Sequence, residues 1–361
     1  MRILLLSPTA LPTVTGNALT AERWRRALEE KGVIAKVMAT VGLGASALGE
    51  EVERFHPHVI HAHHALRAGC LLLGPHAPNS GSPPPWVVSP AGTDINGDFR
   101  NGLRGEVLSR VFHSARAIIA QGPATLQRLG EILPQLNGRI FPVPKSVAWF
   151  GEEEIRLREL AGCRPGEILF FLPAGIRPVK RNLECLIGLE KVHSARPGAR
   201  VVFAGPPLDE EYASRLEKEI RRCAAFARWI RLLPPAVMRS AYEAADVVLN
   251  TSHSEGLSNS LLEAMAAGRP LLAADITGNR APLLGKNGDE PSGLLFDLHD
   301  PEDFPRQAMR LIDDQNLRSA LGLAGKKRAA GWPSPGDEAD GLIKAYEFAL
   351  QSSGENRVLN G

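Results

Sequence analysis

Residues 246–275 constrain the fold more than any other stretch of the chain. Asp246-Val247-Val248-Leu249-Asn250 reads as a buried strand. A polar loop containing Gly256 follows, then an apolar helix over Ser260–Ala267 and a stop at Gly268-Arg269-Pro270. A second apolar strand, Leu271–Ala274, comes next. Strand, loop, helix and strand in this order make the βαβ unit of a parallel sheet, whose ligands sit beyond the carboxyl ends of the strands. The loop Ser254-Glu255-Gly256-Leu257-Ser258-Asn259 is therefore where a ligand is expected.

Two carboxylates punctuate this stretch, Glu255 and Glu263, with seven residues between them. A helix start presents unpaired N–H groups and the positive end of its dipole, which suits phosphate. Gly256 lets the backbone approach a ligand closely. A carboxylate just inside the helix suits a vicinal diol such as a ribose, and one in the loop suits hydroxyls farther along the same ligand. Other readings of the same residues stand beside this one. Ser260-Leu261-Leu262-Glu263 fits a capping box, in which Glu263 satisfies a backbone donor. Glu255 also reads as a solvated loop acid.

A chain of 361 residues has length for two domains, each with its own core. Its 44% apolar and 23% charged content is that of a soluble globular protein. A net charge of +2 argues against nucleic acid or a strongly anionic membrane as partner. Cys70, Cys163, Cys185 and Cys223 stand far apart and read as reduced packing residues, which suits a cytoplasmic location. No stretch approaches the roughly 18 apolar residues of a membrane-spanning helix.

Met1–Ser7 reads as a first strand, Pro12–Asn17 as a loop and Ala18–Lys31 as a helix closed by Gly32. This is the opening of a Rossmann-like half without the G-x-G-x-x-G of dinucleotide binders. Pro57–His64 reads as a strand ending in histidines, with His61 and His63 on one face and His64 on the other. Neither a carboxylate nor a cysteine completes a zinc set near them. Asn79–Pro85 is a turn-rich connection into the strand Trp86–Ser89. Asp94-x-Asn96-x-Asp98 is like a calcium loop only at its start, since Phe99 and Gly105 occupy the positions of the required glycine and glutamate. Further strands are expected at Ala117–Ala120, Ile140–Pro144, Ile168–Leu172, Val201–Pro206 and Trp229–Pro234. After Leu172, the loop Pro173–Asn182 carries Arg177, Lys180 and Arg181 into a helix. That suits a diphosphate, with Arg as a fork and Lys as a point charge; it also fits a solvated basic turn. Tyr212–Ala227 reads as an amphipathic helix with Arg221, Arg222, Arg228 and Arg231 in and after it, a solvated basic face or a peripheral membrane contact. Thr277–Arg280 reads as a loop, and Asp300 or Pro301 as the opening of a helix. Helical patterns run to Lys327 and again over Gly336–Gln351, with a frayed tail from Ser352.

Glu255-x7-Glu263, followed by Ala264-Met265 and Gly268-x-Pro270, resembles the signature of retaining family-4 glycosyltransferases of the GT-B fold. Ser292–Phe296 and Asp300–Phe304 resemble the family's closing G-L-L and D-P-E stretch. Within the family, Thr15–Arg23, Gly92-Thr93-Asp94 and Gly175–Lys180 are similar to a subgroup of glycosyltransferase 1 domain-containing proteins, and some features to bacterial selenosugar synthases. The resemblance implies an α/β GT-B protein, two Rossmann-like domains with parallel sheets facing a central cleft. The expected boundaries are an acceptor-side domain over 1–150, a linker over 151–166 and a donor-side domain over 167–335. A last helix over 336–361 is expected to return to the first domain.

The resemblance also implies roles. Glu263 holds the nucleotide ribose, Glu255 contacts the transferred sugar, and Lys180 with Arg177 neutralises the leaving diphosphate. Gly256, Leu257, Ser258, Asn259 and Gly205 line the donor. Gly16, Asn17, His63, Gly92, Thr93 and Asp94 lie on the sugar and acceptor side. The chain departs from the family pattern twice: Gly175 stands where the usual arginine would, and Ala91 lies where many relatives carry a histidine. The implied activity is metal-independent transfer of a sugar from a nucleotide diphosphate, UDP favoured over GDP, to a small molecule or glycan. No other cofactor is expected, and the protein is a monomer or homodimer. Fold alone leaves two alternatives standing, a nucleotide-sugar isomerase or hydrolase and a non-catalytic nucleotide-sugar-binding protein.

Overall fold

The computed structural model describes residues 1–73, 84–285 and 289–358, so most of the turn-rich connection at 79–85 lies outside the described residues. The chain divides into two compact units, Met1–Ser146 with Pro333–Gly361, and Val147–Trp332. The first holds a sheet of β1 (Arg2–Ser7), β2 (Ile34–Ala39), β3 (Val59–His63), β4 (Trp86–Ser89), β5 (Ala117–Gln121) and β6 (Ile140–Val143). Its order is β2-β1-β3-β4-β5-β6. The second holds β7 (Ile168–Pro173), β8 (Ala199–Ala204), β9 (Ala227–Ile230), β10 (Val247–Asn250), β11 (Leu271–Ala274) and β12 (Gly293–Phe296). Its order is β12-β11-β10-β7-β8-β9. Every strand pair is parallel.

Parallel sheets are covered on both faces, so their strands are continuous apolar runs rather than alternating ones. Ile3-Leu4-Leu5-Leu6 of β1 and Leu169-Phe170-Phe171-Leu172 of β7 are buried throughout. Alternation then deals them to opposite cores. Leu4 and Leu6 pack with Val111 and Phe112, whereas Ile3 and Leu5 pack with Trp24, Leu28 and Tyr346. In the second unit, Phe170 and Leu172 join the core of the helix Asn182–Ala195, and Leu169 and Phe171 that of Tyr242, Leu261 and Met265.

The structure differs from the sequence reading in several elements. Strand β2 and the helix Ala45–Phe55 were not foreseen, because β2 is an edge strand with exposed Ile34 and a charged Lys36, and lacks an apolar run. Residues 151–166, expected as a linker, belong to the second unit: Leu157 and Ala161 are buried in its core, with Trp149 and Ile155 packed against it. Thr277–Leu284 is a helix rather than a loop, despite the internal Pro282. The helix expected to reach Ala227 spans Glu210–Arg222, since the chain must turn after Cys223 to enter β9. The helix after Asp300 starts at Asp303. The last helix, Pro335–Val358, belongs to the first unit and is helical past Ser352.

One buried carboxylate fastens that last helix. Glu338 is fully buried and accepts from Arg23 Nε at 2.9 Å, Arg23 Nη2 at 3.0 Å, Trp24 Nε1 at 2.6 Å and Ser146 N at 3.1 Å. Gln121 Nε2 donates to it at 2.5 Å. Burial alone would raise its pKa, but the Arg23 charge and these donors outweigh burial and hold it below the ordinary value. Removing one partner of a buried pair strands the other charge. Glu338→Ala is therefore expected to lose about 3–5 kcal/mol of stability at neutral pH, measured by denaturant unfolding. A carboxyl with a depressed folded pKa stabilises above its unfolded pKa, and loses that contribution as pH falls through the folded value. The stability gap between the wild type and Glu338→Ala should accordingly shrink under acid, and a gap independent of pH would refute the pair.

Candidate active site

In the second sheet the chain winds from β7 out to β9, then returns to lay β10 against the other side of β7. That reversal is a topological switch point, where the loops beyond the two strands diverge and leave a crevice. The loop after β7 is Ala174–Arg181, and the loop after β10 is Thr251–Ser258. The sequence places its main candidates in these two loops.

The structure ties the loops together. Lys180 Nζ donates to Glu255 Oε1, and Ser252 Oγ donates to the same oxygen at 2.8 Å. Thr251 Oγ1 donates to the Lys180 carbonyl at 2.7 Å, and His253 N to the Val179 carbonyl at 3.1 Å. Lys180 ends a short 3₁₀ turn, Pro178–Lys180, and Arg181 adopts a left-handed φ of 53° before the helix Asn182–Ala195 begins. Arg177 N donates to Asn182 Oδ1 at 3.4 Å, which folds the basic loop over the start of that helix.

Glu263 lies on the helix Asn259–Ala266, whose N-cap is Ser258. Glu263 is thus the fifth helical residue rather than the third, and the capping-box reading fails. Its carboxylate instead accepts from Tyr242 Oη at 2.6 Å. Burial raises the Tyr242 pKa well above the ordinary value, and the Glu263 charge adds to this, so the phenol keeps the proton it donates. Phe171 and Trp149 pack on the Tyr242 ring and fix its position. Gly256 and Leu257 are half-buried, and Ser258 Oγ meets Ser260 Oγ at 2.9 Å. Asn259 Oδ1 is buried without a hydrogen-bond partner among the described residues. Gly205 turns at the end of β8, where a Cβ would lie 2.4 Å from the Ala174 carbonyl oxygen, and its own carbonyl accepts from Trp229 Nε1 at 2.9 Å.

The first-unit candidates gather at the carboxyl ends of the neighbouring strands β1, β3 and β4. Gly16 and Asn17 open the helix Gly16–Glu30, capped by Thr15, whose Oγ1 accepts from Ala18 N at 3.2 Å. His63 is buried against Trp24 and meets Ser89 Oγ at 3.0 Å. Gly92 and Thr93 start the helix Gly92–Asn96 and are half-buried. Asp94 is fully buried, 2.6 Å from His64 Nδ1, and accepts from Ala65 N and Ala91 N at 2.8 Å each. Its carboxylate is engaged in joining the loops after β3 and β4. Asp98 pairs with Arg104 at 2.8 Å, and no group of metal-ligating side chains is found among the described residues.

The sequence reading missed Tyr242, Ser252 and Gly278 as parts of the site. Tyr242 carries no local signal of this role, because its partner Glu263 lies 21 positions away. Gly278 packs under the carboxylate loop, since a Cβ on it would lie 2.5 Å from the Glu255 carbonyl oxygen and 2.7 Å from that of Gly256.

Residues 171–314 match the family model described as Glycosyl transferases group 1. Over 329 residues the chain is 27% identical to a Xenopus tropicalis protein, glycosyltransferase 1 domain-containing protein 1, covering 89% of this chain and 90% of that one. Over residues 171–314 the chain is similar to the glycosyltransferase group 1 family. A D-inositol 3-phosphate glycosyltransferase of Segniliparus rotundus is 29% identical over 196 residues, which cover 53% of this chain and 42% of that enzyme. Among solved structures, Anabaena HepE with UDP and glucose superposes with a TM-score of 0.74 at 16% identity, covering 96% of this chain and 99% of that one. The catalytic domain of Arabidopsis thaliana starch synthase IV, with ADP and acarbose, gives 0.74 at 12% identity, covering 97% and 99%. The fold is that of GT-B glycosyltransferase structures.

Gly278→Ala tests the support of the carboxylate loop. Forcing a methyl against two backbone carbonyls should cost about 1–3 kcal/mol. Denaturant unfolding of the variant measures it, and unchanged stability would show that the loop yields freely.

Proposed function

We propose that this protein moves a sugar from a nucleotide diphosphate donor to a hydroxyl-bearing acceptor, a small molecule or glycan, with retention at the anomeric carbon and without a metal ion. The transferred group is a hexosyl or N-acetylhexosaminyl unit. One observation carries the reading: Lys180 and Glu255 meet at the switch point of the second sheet. An ammonium there suits the diphosphate, the carboxylate beside it suits hydroxyls of the sugar, and Glu263, aimed by Tyr242, suits the ribose diol. Arg177 and the start of the helix Asn259–Ala266 add positive potential for the leaving charge. A uridine donor is favoured by HepE and TarM, whose structures hold UDP. Donors of this class suit a cytoplasmic enzyme, and among the described residues no helix is long and apolar enough to cross a membrane.

In the reaction the bond between the anomeric carbon and the diphosphate oxygen breaks, and its electron pair leaves with the diphosphate. The acceptor oxygen bonds to the same face of the sugar, and its proton passes to a donor phosphate oxygen. No protein base is needed, so alanine at position 91 is compatible with turnover. The protein's part is to place the donor and to meet the charge that grows on the leaving group.

Thermal shift with a panel of nucleotide sugars names the base and sugar, since a ligand at 100 times its Kd adds about 2.7 kcal/mol of stability. Lys180→Ala should weaken UDP binding far more than uridine binding; equal losses would remove Lys180 from the diphosphate. Activity should survive excess EDTA, and a strict need for manganese or magnesium would overturn the metal-free reading. Glu255→Gln should lower kcat and Glu263→Gln should raise donor KM, each about 10- to 150-fold, from about 1.5–3 kcal/mol per charged hydrogen bond. Tyr242→Phe should raise donor KM about 2- to 12-fold with kcat retained. If Glu263→Gln changes only stability and Glu255→Gln changes nothing, this motif does not hold a donor.

A further inference from the structure

A chain of hydrogen bonds runs through the first unit beneath the carboxyl edge of its sheet. Tyr346 Oη lies 2.8 Å from His61 Nδ1, His61 Nε2 lies 2.9 Å from Ser89 Oγ, and Ser89 Oγ lies 3.0 Å from His63 Nδ1. Tyr346, His61 and Ser89 are at most 2% exposed, and Trp24 stacks on His61 and meets His63 edge-on. The four side chains come from the last helix, β3 and β4. Nothing in the donor site uses them.

The direction of this chain follows from counting hydrogens. Burial keeps the Tyr346 phenol protonated, and it lowers the pKa of His61 to about 3 and that of His63 well below its ordinary value, so both rings are neutral at physiological pH. Each neutral ring has one N–H and one acceptor nitrogen. The Tyr346 hydroxyl has His61 as its one described hydrogen-bond partner, so its hydrogen must go to His61 Nδ1. His61 then carries its hydrogen on Nε2 and donates to Ser89 Oγ. Ser89 in turn donates to His63 Nδ1. His63 is left with its hydrogen on Nε2. Reversing the chain would leave the buried Tyr346 hydrogen without an acceptor, and letting both rings donate to Ser89 would strand the serine hydrogen; such orphans are costly and rare.

His63 keeps 7% exposure, and no described residue is bonded to its Nε2. It ends β3, next to β1 and β4, on the edge that also carries the Gly16–Asn17 and Gly92–Thr93 turns. We propose that Tyr346, His61 and Ser89 are positioning residues that lock His63 as an Nε2–H donor, and that this donor binds an oxygen of a ligand at the carboxyl edge of the first sheet. The oxygen belongs to a polyol hydroxyl or to a phosphate; Arg23 and Lys145 add positive charge near the ring, which suits either. On the glycosyl-transfer reading, on which this last assignment rests, the ligand is the acceptor. His63 then binds and orients it, and is excluded as its base because the nitrogen facing the ligand already carries a proton.

The test is a long-range proton–nitrogen correlation spectrum of the full chain labelled with nitrogen-15 histidine. In the wild type at neutral pH, His61 and His63 should both be pure Nε2–H tautomers. A His63 that carries its hydrogen on Nδ1, or that is charged, overturns the proposal. Tyr346→Phe should release both rings into mixed tautomers, and Ser89→Ala should release His63 alone; a folded variant that keeps the wild-type pattern also overturns it. Should either variant fail to fold, the wild-type spectrum still decides. D-glucose and inorganic phosphate are then titrated separately in the presence of UDP. Movement of the His63 signals with one probe supports the ligand assignment and names the oxygen, with the exposed His113 as control, and no movement with either refutes it. His63→Leu should weaken the active probe about 10-fold, and His63→Gln, which keeps an N–H at similar reach, should weaken it less. Calorimetry of UDP in the same samples separates the two readings: loss of UDP binding with the tautomers intact would refute glycosyl transfer and leave the relay standing.

Discussion

The constraint behind both units is that an all-parallel sheet must be covered on both faces, which leaves only its edges for chemistry. Among the described residues twelve strands take part, six in each sheet, and their apolar runs are committed to four cores. Polar side chains that serve a ligand must therefore sit at strand ends. At the carboxyl ends the loops widen and helices present their amino termini, so charge there is met by backbone dipoles. Lys180, Glu255, His63 and Ser89 all lie at or beyond the carboxyl ends of strands, although they come from different strands and different units.

The two units use the same edge in different ways. In the second, charges face one another across the switch point: Lys180 and Glu255 are each only partly exposed, at 18% and 14% of the side chain, yet neither is sealed from water. A pair in that setting can exchange partners with a ligand at modest cost, because full desolvation has not been reached. In the first unit two carboxyl groups are locked inward instead. Glu338 is saturated by Arg23, Trp24, Gln121 and Ser146, and Asp94 by backbone amides and His64. Beside them on that edge lies His63, a ring that burial keeps neutral. The arrangement suits a charged diphosphate on one unit and an oxygen-rich ligand on the other.

Much of this was legible in the chain because parallel strands advertise themselves as apolar runs. The strands β1, β7, β10 and β11 stand within a residue or two of where the runs place them, and so do the loops that follow them. The failures are equally physical. Strand β2 is paired on one side only, so its sequence carries no buried run to detect. The stretch 151–166 looks like a linker by charge, yet Leu157 and Ala161 are enough to anchor it. The capping box at Ser260 was a false match in register: the helix begins two residues before a box would require, at Asn259, which leaves Glu263 free of capping duty and available to Tyr242. Tyr242, Ser89 and Tyr346 were invisible for a different reason. Each acts through a partner distant in sequence, and no local pattern encodes such a pairing.

The glycine at 175, where the family pattern has an arginine, has a local explanation. A Cβ on Gly175 would lie 2.5 Å from Leu208 Cδ1 and 2.9 Å from its Cγ, so Leu208 fills the space that a longer side chain would cross. Ile176 bridges to Pro207 and its carbonyl accepts from Leu208 N at 3.0 Å, which draws this part of the loop tightly onto the turn after β8. The first point beyond that bridge at which the loop carries a cation is Arg177. A guanidinium reaches several ångströms from its Cα, so a two-residue displacement in sequence can be absorbed by side-chain length, whereas a short side chain would not allow it. Lys180, by contrast, has its own carbonyl held by Thr251, and its ammonium is a point charge with no plane to align. Lys180 is thus held in place by the loop after β10, which also supplies its partner Glu255, whereas Arg177 lies just past the segment drawn onto the turn after β8.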